Sequence, residues 1–453
     1  MSENKNVRTA GQAGWHISKY NIYTRIPDSQ KFVVLNLIRG ICEAYSFVEL
    51  CLLNEAESLP ENHPILERFA KSGFIANYDE LEALKAMRRL ASRGSNHVSF
   101  TICPTMNCNF ACPYCFERHR AGIMTEQVQA DIAALAEKMI DASSAKALHV
   151  TWFGGEPLLG MNVITALTEK LRAIAEKRNA KYSATIITNG YLLTQEIVDT
   201  LAQCDVKSAQ ITLDGIGEAH DQTRHLAGGG STFERITENL RTLRIPFRVG
   251  IRHNIHKGNA DQIPALRALI EKLAEESGNQ LKYYPAPVSN NSVFSENGSN
   301  LSLLCAYDDE NVEIGMARDI DNFNIKMNFC GANVFSYVGI DEQGRLYKCW
   351  EDVGNPEYSF GRVSEWDPIN PVFTADIPDN LISYINASVP SEDEECLKCM
   401  FFPVCAGGCA VQKVRYGHRQ CVAYKNTPEK YALALYENAK KNKAACNDTD
   451  RQN

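Results

Sequence analysis

Ten of the sixteen cysteines fall into two constellations whose spacing suits iron or zinc chemistry. The first is Cys108-Asn109-Phe110-Ala111-Cys112-Pro113-Tyr114-Cys115, a C-x3-C-x2-C triplet. The second runs through Cys330, Gly344-x4-Cys349, Cys396-x2-Cys399-x5-Cys405-x3-Cys409 and Cys421. Thiolates at such short spacings converge on soft metal centres. The triplet offers three ligands where a cubane cluster has four irons, which leaves one iron open to a ligand that is not protein. Zinc needs a closed tetrahedron of four ligands, and His119 is the nearest fourth candidate. Read alone, Cys396, Cys399, Cys405 and Cys409 also suit a zinc ribbon. Read together with the triplet and Gly344-x4-Cys349, they favour iron–sulfur.

The rest of the chain must position these thiols. With 453 residues, 44% of them hydrophobic, it can bury large cores in two or three domains. A net charge of −8 implies no basic surface for nucleic acid. The sequence shows no N-terminal apolar region and no run of about 18 apolar residues, which argues against secretion or membrane spanning. In a long chain without a signal peptide, clustered cysteines read as metal ligands in a reducing cytoplasm rather than as disulfides.

Short apolar, β-branched runs recur at 98–102, 149–153, 184–188, 209–213, 247–251 and 281–284. Helical periodicity fills the gaps at 125–141, 162–178, 194–201, 232–243 and 261–275. Strand–helix units in series predict a parallel α/β sheet with right-handed crossovers. The triplet follows the first strand directly. The second strand ends in Phe153-Gly154-Gly155-Glu156-Pro157, where two glycines let backbone approach a ligand and the carboxylate can accept from an ammonium group. The third ends in Thr188-Asn189-Gly190. The fourth ends in Thr212-Leu213-Asp214-Gly215, with His220, Asp221 and Arg224 beyond. Arg252 and Asn254 follow on the fifth. Asn189-Gly190 and Asp214-Gly215 are also ordinary turn dipeptides. At the N-terminus, 19–26 and 31–38 predict a hairpin around Pro27-Asp28-Ser29-Gln30, with helices at 64–72 and 79–91.

Over about residues 97–425 these motifs, in this order, resemble radical S-adenosylmethionine (SAM) enzymes that carry the C-terminal SPASM/twitch extension. The resemblance implies a partial (β/α)6 TIM-like barrel at 96–300. An N-terminal hairpin/helix module would occupy 1–95 and an iron–sulfur SPASM domain 301–453. It implies SAM and three [4Fe–4S] clusters, one binding SAM and two auxiliary, which suits an anaerobic setting. The open iron at Cys108, Cys112 and Cys115 would chelate SAM through its amino and carboxylate groups. One electron, from a flavodoxin or ferredoxin, would then release a 5′-deoxyadenosyl radical that takes hydrogen from substrate. Gly154, Gly155 and Glu156 look like the motif for the SAM amino group. Thr188, Asn189, Thr212, Asp214 and Arg224 would hold ribose hydroxyls and the SAM carboxylate, and Tyr114 would pack near adenine. Cys396, Cys399, Cys405 and Cys421 look like ligands of the distal auxiliary cluster, and Cys330, Cys349 and Cys409 of the nearer one. That nearer set has three members. Either Cys305 completes it or an open iron awaits a substrate thiolate. The remaining cysteines are expected to have no role.

The N-terminal module resembles the winged-helix-like leader-recognition modules of peptide-modifying members, which bind a leader as an added strand. A cap over the barrel mouth is the alternative. The expected function is a maturase that abstracts hydrogen from a ribosomal precursor peptide, forming a thioether or carbon cross-link. A sulfatase-type maturase, forming formylglycine from Cys or Ser, is the second reading. That branch has Asp after the cysteine matching Cys349. Trp350 stands there instead, and Glu351 is the candidate base. A non-catalytic electron-transfer or zinc-scaffold protein is the third; neither Gly-Gly-Glu nor an open iron serves it.

Overall fold

The computed structural model describes residues 14–93, 96–256, 258–287, 323, 325–326, 330–334, 336–366, 379–387, 393–417, 419 and 421–449. The chain opens with β1 (His16–Ile17), β2 (Asn21–Arg25), β3 (Lys31–Asn36) and β4 (Ile41–Ser46). Then come α1 (Phe47–Asn54), α2 (Pro64–Ser72), β5 (Ile75–Ala76) and α3 (Glu80–Arg93). β2, β3 and β4 form an antiparallel meander, so the expected hairpin has a third strand. Glu43 hides β4 in the sequence by interrupting its apolar pattern. Its carboxylate is held by Tyr45 and by Ser72 at 3.2 Å.

The central unit alternates strand and helix, as the periodicity predicts. Its elements are β6 (His97–Ile102), α4 (Glu126–Ser143), β7 (Ala147–Trp152), α5 (Met161–Lys177), β8 (Lys181–Thr188), α6 (Gln195–Gln203) and β9 (Val206–Thr212). α7 (Glu218–Asp221), α8 (Phe233–Thr242), β10 (Arg248–Ile255), α9 (Ile263–Ser277) and β11 (Leu281–Pro287) follow. β6 to β11 pair in parallel in sequence order, a mixed α/β architecture around a parallel sheet. One face is apolar: Leu148, Val150 and Trp152 of β7 are wholly buried with Ile132, Leu135, Ile164 and Leu167 of the helices. The other face is polar. His149 bonds Ser183 at 3.0 Å and Thr185 bonds Ser208 at 2.9 Å across neighbouring strands. A parallel sheet with helices on one face and a polar second face leaves that second face for something other than a hydrophobic core.

The sheet does not stop at β6. β12 (Tyr337–Ile340) pairs parallel to its outer edge, and β13 (Arg345–Tyr347) and β14 (Gly361–Arg362) continue it antiparallel, making nine strands among the described residues. Residues 337–362 therefore continue the edge of the parallel sheet. The chain continues as α10 (Asp379–Ala387), α11 (Glu394–Lys398), α12 (Phe402–Cys405), α13 (Ala410–Tyr416) and α14 (Pro428–Thr449). Among the described residues no helix is long and apolar enough to cross a membrane.

Both faces of the N-terminal sheet are covered. Val34 and Tyr45 pack with Leu53, Leu66 and Phe69 from α1 and α2. Ile22, Val33 and Leu35 pack with Phe401, Tyr424, Tyr431 and Ala432 of the C-terminal region. The module thus docks on the thiol-rich end of the chain.

Candidate active site

The loop after β6 carries the triplet, and the loop after β7 holds it down. A Cβ on Gly154, at φ +106, would lie 2.4 Å from the Thr105 carbonyl oxygen. One on Gly155 would lie 2.4 Å from the Asn107 carbonyl oxygen. Both distances are far inside van der Waals contact, so only glycine lets the two loops touch. Glu156 N–H then donates to the same Asn107 carbonyl at 2.9 Å. Cys108, Cys112 and Cys115 emerge on one wall of a cavity of about 220 Å³. Gly154, Gly155, Thr188, Asn189, Thr212, Tyr114, Arg224, Arg252, Asn254 and Glu351 line it too.

Glu156 and Asp214 do not line it. Glu156 is fully buried. Its carboxylate accepts from Leu158 N–H at 3.0 Å, Thr188 hydroxyl at 2.7 Å and Asn189 N–H at 2.8 Å, fastening the end of β8 beside the glycines. The expected ammonium acceptor thus spends three acceptor positions on the protein's own donors and lies outside the cavity lining. Asp214 is likewise buried and accepts from the Tyr114 hydroxyl and from Thr223 at 3.1 Å. The Tyr114 oxygen in turn accepts from Arg224 at 2.9 Å and Asn254 at 3.2 Å, which fixes the ring against the cavity. His220 Nδ1 accepts from Asp214 N–H at 3.1 Å, and Asp221 accepts from Thr232 N–H at 2.7 Å, so both serve the turn.

Two groups of the triplet loop, one of them in the cavity lining, escaped the sequence reading. Glu117, two residues after Cys115, is buried, and its Oε1 has no hydrogen-bond partner among the described residues. Burial, with the Glu156 charge adding, pushes its carboxyl up to about 8. Its place in the triplet loop was the available signal. Arg120 donates to Glu342 at 2.6 Å, Asp341 at 3.0 Å and the Gly354 carbonyl at 2.7 Å, tying the triplet loop to the β12–β13 turn. Sequence separation hid it.

Phe116, Phe153 and Trp350 form an aromatic ladder with centroids 6.2 and 5.9 Å apart. Beside it Glu351 faces the cavity, whereas Asp352 is buried against Arg415 and the Tyr384 hydroxyl. Of Glu351 and Asp352, Glu351 is therefore the one within reach of a ligand. The cavity offers buried guanidinium (Arg224, Nε unpartnered), carboxylate and aromatic surface together. That set fits a zwitterion bearing a planar ring.

Burial pushes the Cys108 thiol up to about 12 and Cys115 well above its usual value. Buried thiols of this kind are ionised by metal binding rather than by water. His119 Nε2 lies 3.5 Å from Cys115 Sγ. Among the described residues no three His, Cys, Asp or Glu groups are arranged to hold a single metal ion. A cubane spreads its ligands over separate irons and does not require that convergence.

The C-terminal thiols lie in two places among the described residues. Cys396, Cys399, Cys405 and Cys421 line one cavity of about 670 Å³ with Arg419, Lys413 and Lys425. Cys349 and Cys409 pack elsewhere with Tyr384 and Val411. Burial raises the Cys349 thiol, and the Glu351, Cys330 and Cys409 charges add to it. Cys305 lies outside the described residues.

Residues 102–266 match the Radical SAM superfamily. The Fe-coproporphyrin III synthase of Methanosarcina barkeri is 24% identical over 347 residues, 68% of this chain and 82% of its own length. The cysteine-type anaerobic sulfatase-maturating enzyme of Clostridium novyi is 24% identical over 337 residues, 68% and 86% of the two chains. The solved structure of native anSMEcpe with bound AdoMet and Cp18Cys peptide shares the fold, with a TM-score of 0.58 and 19% identity over 77% of this chain and 99% of that one. Residues 102–266 are therefore a radical SAM domain, in a chain that resembles peptide-modifying maturases with a SPASM-type extension.

Proposed function

We propose that the chain is a radical SAM maturase of a ribosomally made precursor peptide. The observation that carries this reading is the shared cavity: three thiols, a buried guanidinium and the ends of four parallel strands face one space. Cys108, Cys112 and Cys115 would hold a [4Fe–4S] cluster. When bound, that cluster and SAM supply hydrogen-atom abstraction through one-electron cleavage of the sulfonium. The backbone at Gly154 and Gly155 would receive the SAM amino group. Glu156 would orient that backbone and Thr188 and Asn189, while Arg224 would take the SAM carboxylate. Tyr114, fixed by Asp214 and Asn254, would present its ring to the adenine. Phe116, Phe153 and Trp350 give one wall an aromatic surface, and Glu351 would take a proton from a substrate held there.

The peptide assignment leans on the N-terminal module, because one similar protein is named for a porphyrin. Helices and the C-terminal region cover both faces of β2–β3–β4, so its edges are what a leader strand would pair with. Phe47 and Val48, 63% and 68% exposed where β4 ends, would anchor it there. Distal and proximal auxiliary clusters would occupy the four-thiol and three-thiol sites.

The test uses anaerobically reconstituted protein with SAM, a low-potential reductant and candidate precursor peptides drawn from the neighbouring open reading frames. A mass loss of two hydrogens in the peptide, with 5′-deoxyadenosine formed and dependence on the leader, supports the reading. The second reading, formylglycine formation, is favoured by the Glu351 carboxylate in the cavity and gives a carbonyl-reactive product instead. SAM cleavage with no peptide product from any neighbouring open reading frame would sink the peptide assignment.

A further inference from the structure

The N-terminal module reaches the four-thiol site with positive charge. Lys19 Nζ donates to the Leu397 carbonyl at 3.2 Å, between Cys396 and Cys399. Arg88, on α3, is 8% exposed. Its guanidinium donates to the Phe402 carbonyl at 2.6 Å and to those of Pro403 and Lys326 at 3.2 Å, and it lies over the Phe402 ring at 4.0 Å. Every one of these partners is neutral. Nη1 has no partner, and no carboxylate forms an ion pair with Arg88 among the described residues. A buried guanidinium held only by carbonyls is strongly unfavourable unless an anion lies close by.

The anion is available next door. Phe402, which supplies Arg88 with a ring and a carbonyl, also lines the cavity of Cys396, Cys399, Cys405 and Cys421. Burial pulls the Arg88 pKa down to about 10, with Cys405, Tyr20 and Cys396 pulling it back up, so the group stays cationic at neutral pH.

We propose that Arg88 is the buried counter-charge of the four-thiolate site, so that loading this site with its anionic cluster locks the N-terminal module onto the C-terminal region. The inference rests on reading those four cysteines as cluster ligands. It makes Arg88 a positioning residue with two consequences. Loading should protect the module from opening. The neighbouring cation should also favour the reduced, more negative cluster and so raise its potential.

The experiment uses the full chain. Hydrogen exchange over residues 14–93 is compared in loaded and chelator-stripped protein for wild type, R88K and R88M. Loading should slow exchange at least tenfold in wild type and R88K, and R88M should lose that gain. In a C108A/C112A/C115A/C349A background, which leaves the four-thiol site, an EPR-monitored titration should give R88M a lower midpoint potential than R88K. Where R88M does not fold, R88Q supplies the same comparison. Wild-type protection and an unchanged potential in the neutral variant would overturn the proposal. Failure of that background to take up iron would instead overturn the cluster reading beneath it.

Discussion

Gly155 has no room for a methyl group. An added Cβ would meet the Asn107 carbonyl oxygen at 2.4 Å and the Met106 carbonyl oxygen at 2.7 Å, and both are backbone that cannot swing aside. Gly155→Ala should therefore push the triplet loop off β7. We expect loss of roughly four irons per chain with the C-terminal iron retained, read by iron assay. Glu156 tests the neighbouring claim. Removing its carboxylate leaves three buried donors without an acceptor, so Glu156→Ala should cost on the order of 3 kcal/mol in denaturant unfolding of the apo chain. A carboxylate that only met ligand in the cavity would leave apo stability within about 0.5 kcal/mol. The sequence announced both residues as Gly-Gly-Glu. It did not announce that the glycines are spacers for the cysteine loop, because the atoms they spare belong to Thr105, Met106 and Asn107, some 50 positions upstream.

The helices and parallel strands of the central unit were legible because their signals are local. Ile132, Leu135 and Met139 recur at helical spacing, and Thr125 accepts from Val128 N–H at 3.3 Å as an N-cap. β4 and β12 to β14 were not legible. Their existence depends on partners far along the chain, as in the pairing of Tyr337 with Ser99. The polar inner face was also hidden, since alternation along β10 reads simply as half-buried strand. The opposite, buried face of β10 carries a pH consequence. His253 is fully buried on β10, and burial pulls its pKa down to about 4. The unfolded chain, with a His pKa near 6.5, then binds more protons than the folded chain between about pH 6.5 and 4. Stability contributed by neutral His253 is complete above about pH 6.5 and declines as pH falls toward 4, by up to roughly 3 kcal/mol. His253→Gln should flatten the slope of apo-chain stability against pH in that window. An unchanged slope in urea titrations would show that His253 titrates normally.

At the scale of the whole chain, thiol sites are set on separate pieces that the fold ties together. Arg120 joins the triplet loop to the β12–β13 turn, β12 extends the sheet, and α14 carries the N-terminal sheet on its flank. Such tying predicts sites that load independently but sit in one rigid frame. Replacing Cys108, Cys112 and Cys115 with Ala should leave about eight irons per chain and abolish SAM cleavage. Adding Cys396→Ala should leave about four, held by Cys330, Cys349 and Cys409. Those three need either a fourth protein ligand or a ligand from substrate. Lys348, beside Cys349, does not supply one: its amine is spent on the Val334 and Tyr337 carbonyls at 2.7 and 2.8 Å. The flanking sequence of Cys305, from Leu301 to Glu310, carries no turn suited to a cluster, which favours an iron left open for a substrate thiolate. In the variant that retains only this site, Cys305→Ala should then leave the iron content near four and the paramagnetic signal unchanged. A cysteine-bearing substrate peptide should shift that signal on binding, because thiolate is a strong ligand for ferric iron. Iron lost on the Cys305 substitution, together with a signal indifferent to the peptide, would refute the open site and remove the support it gives to thioether formation.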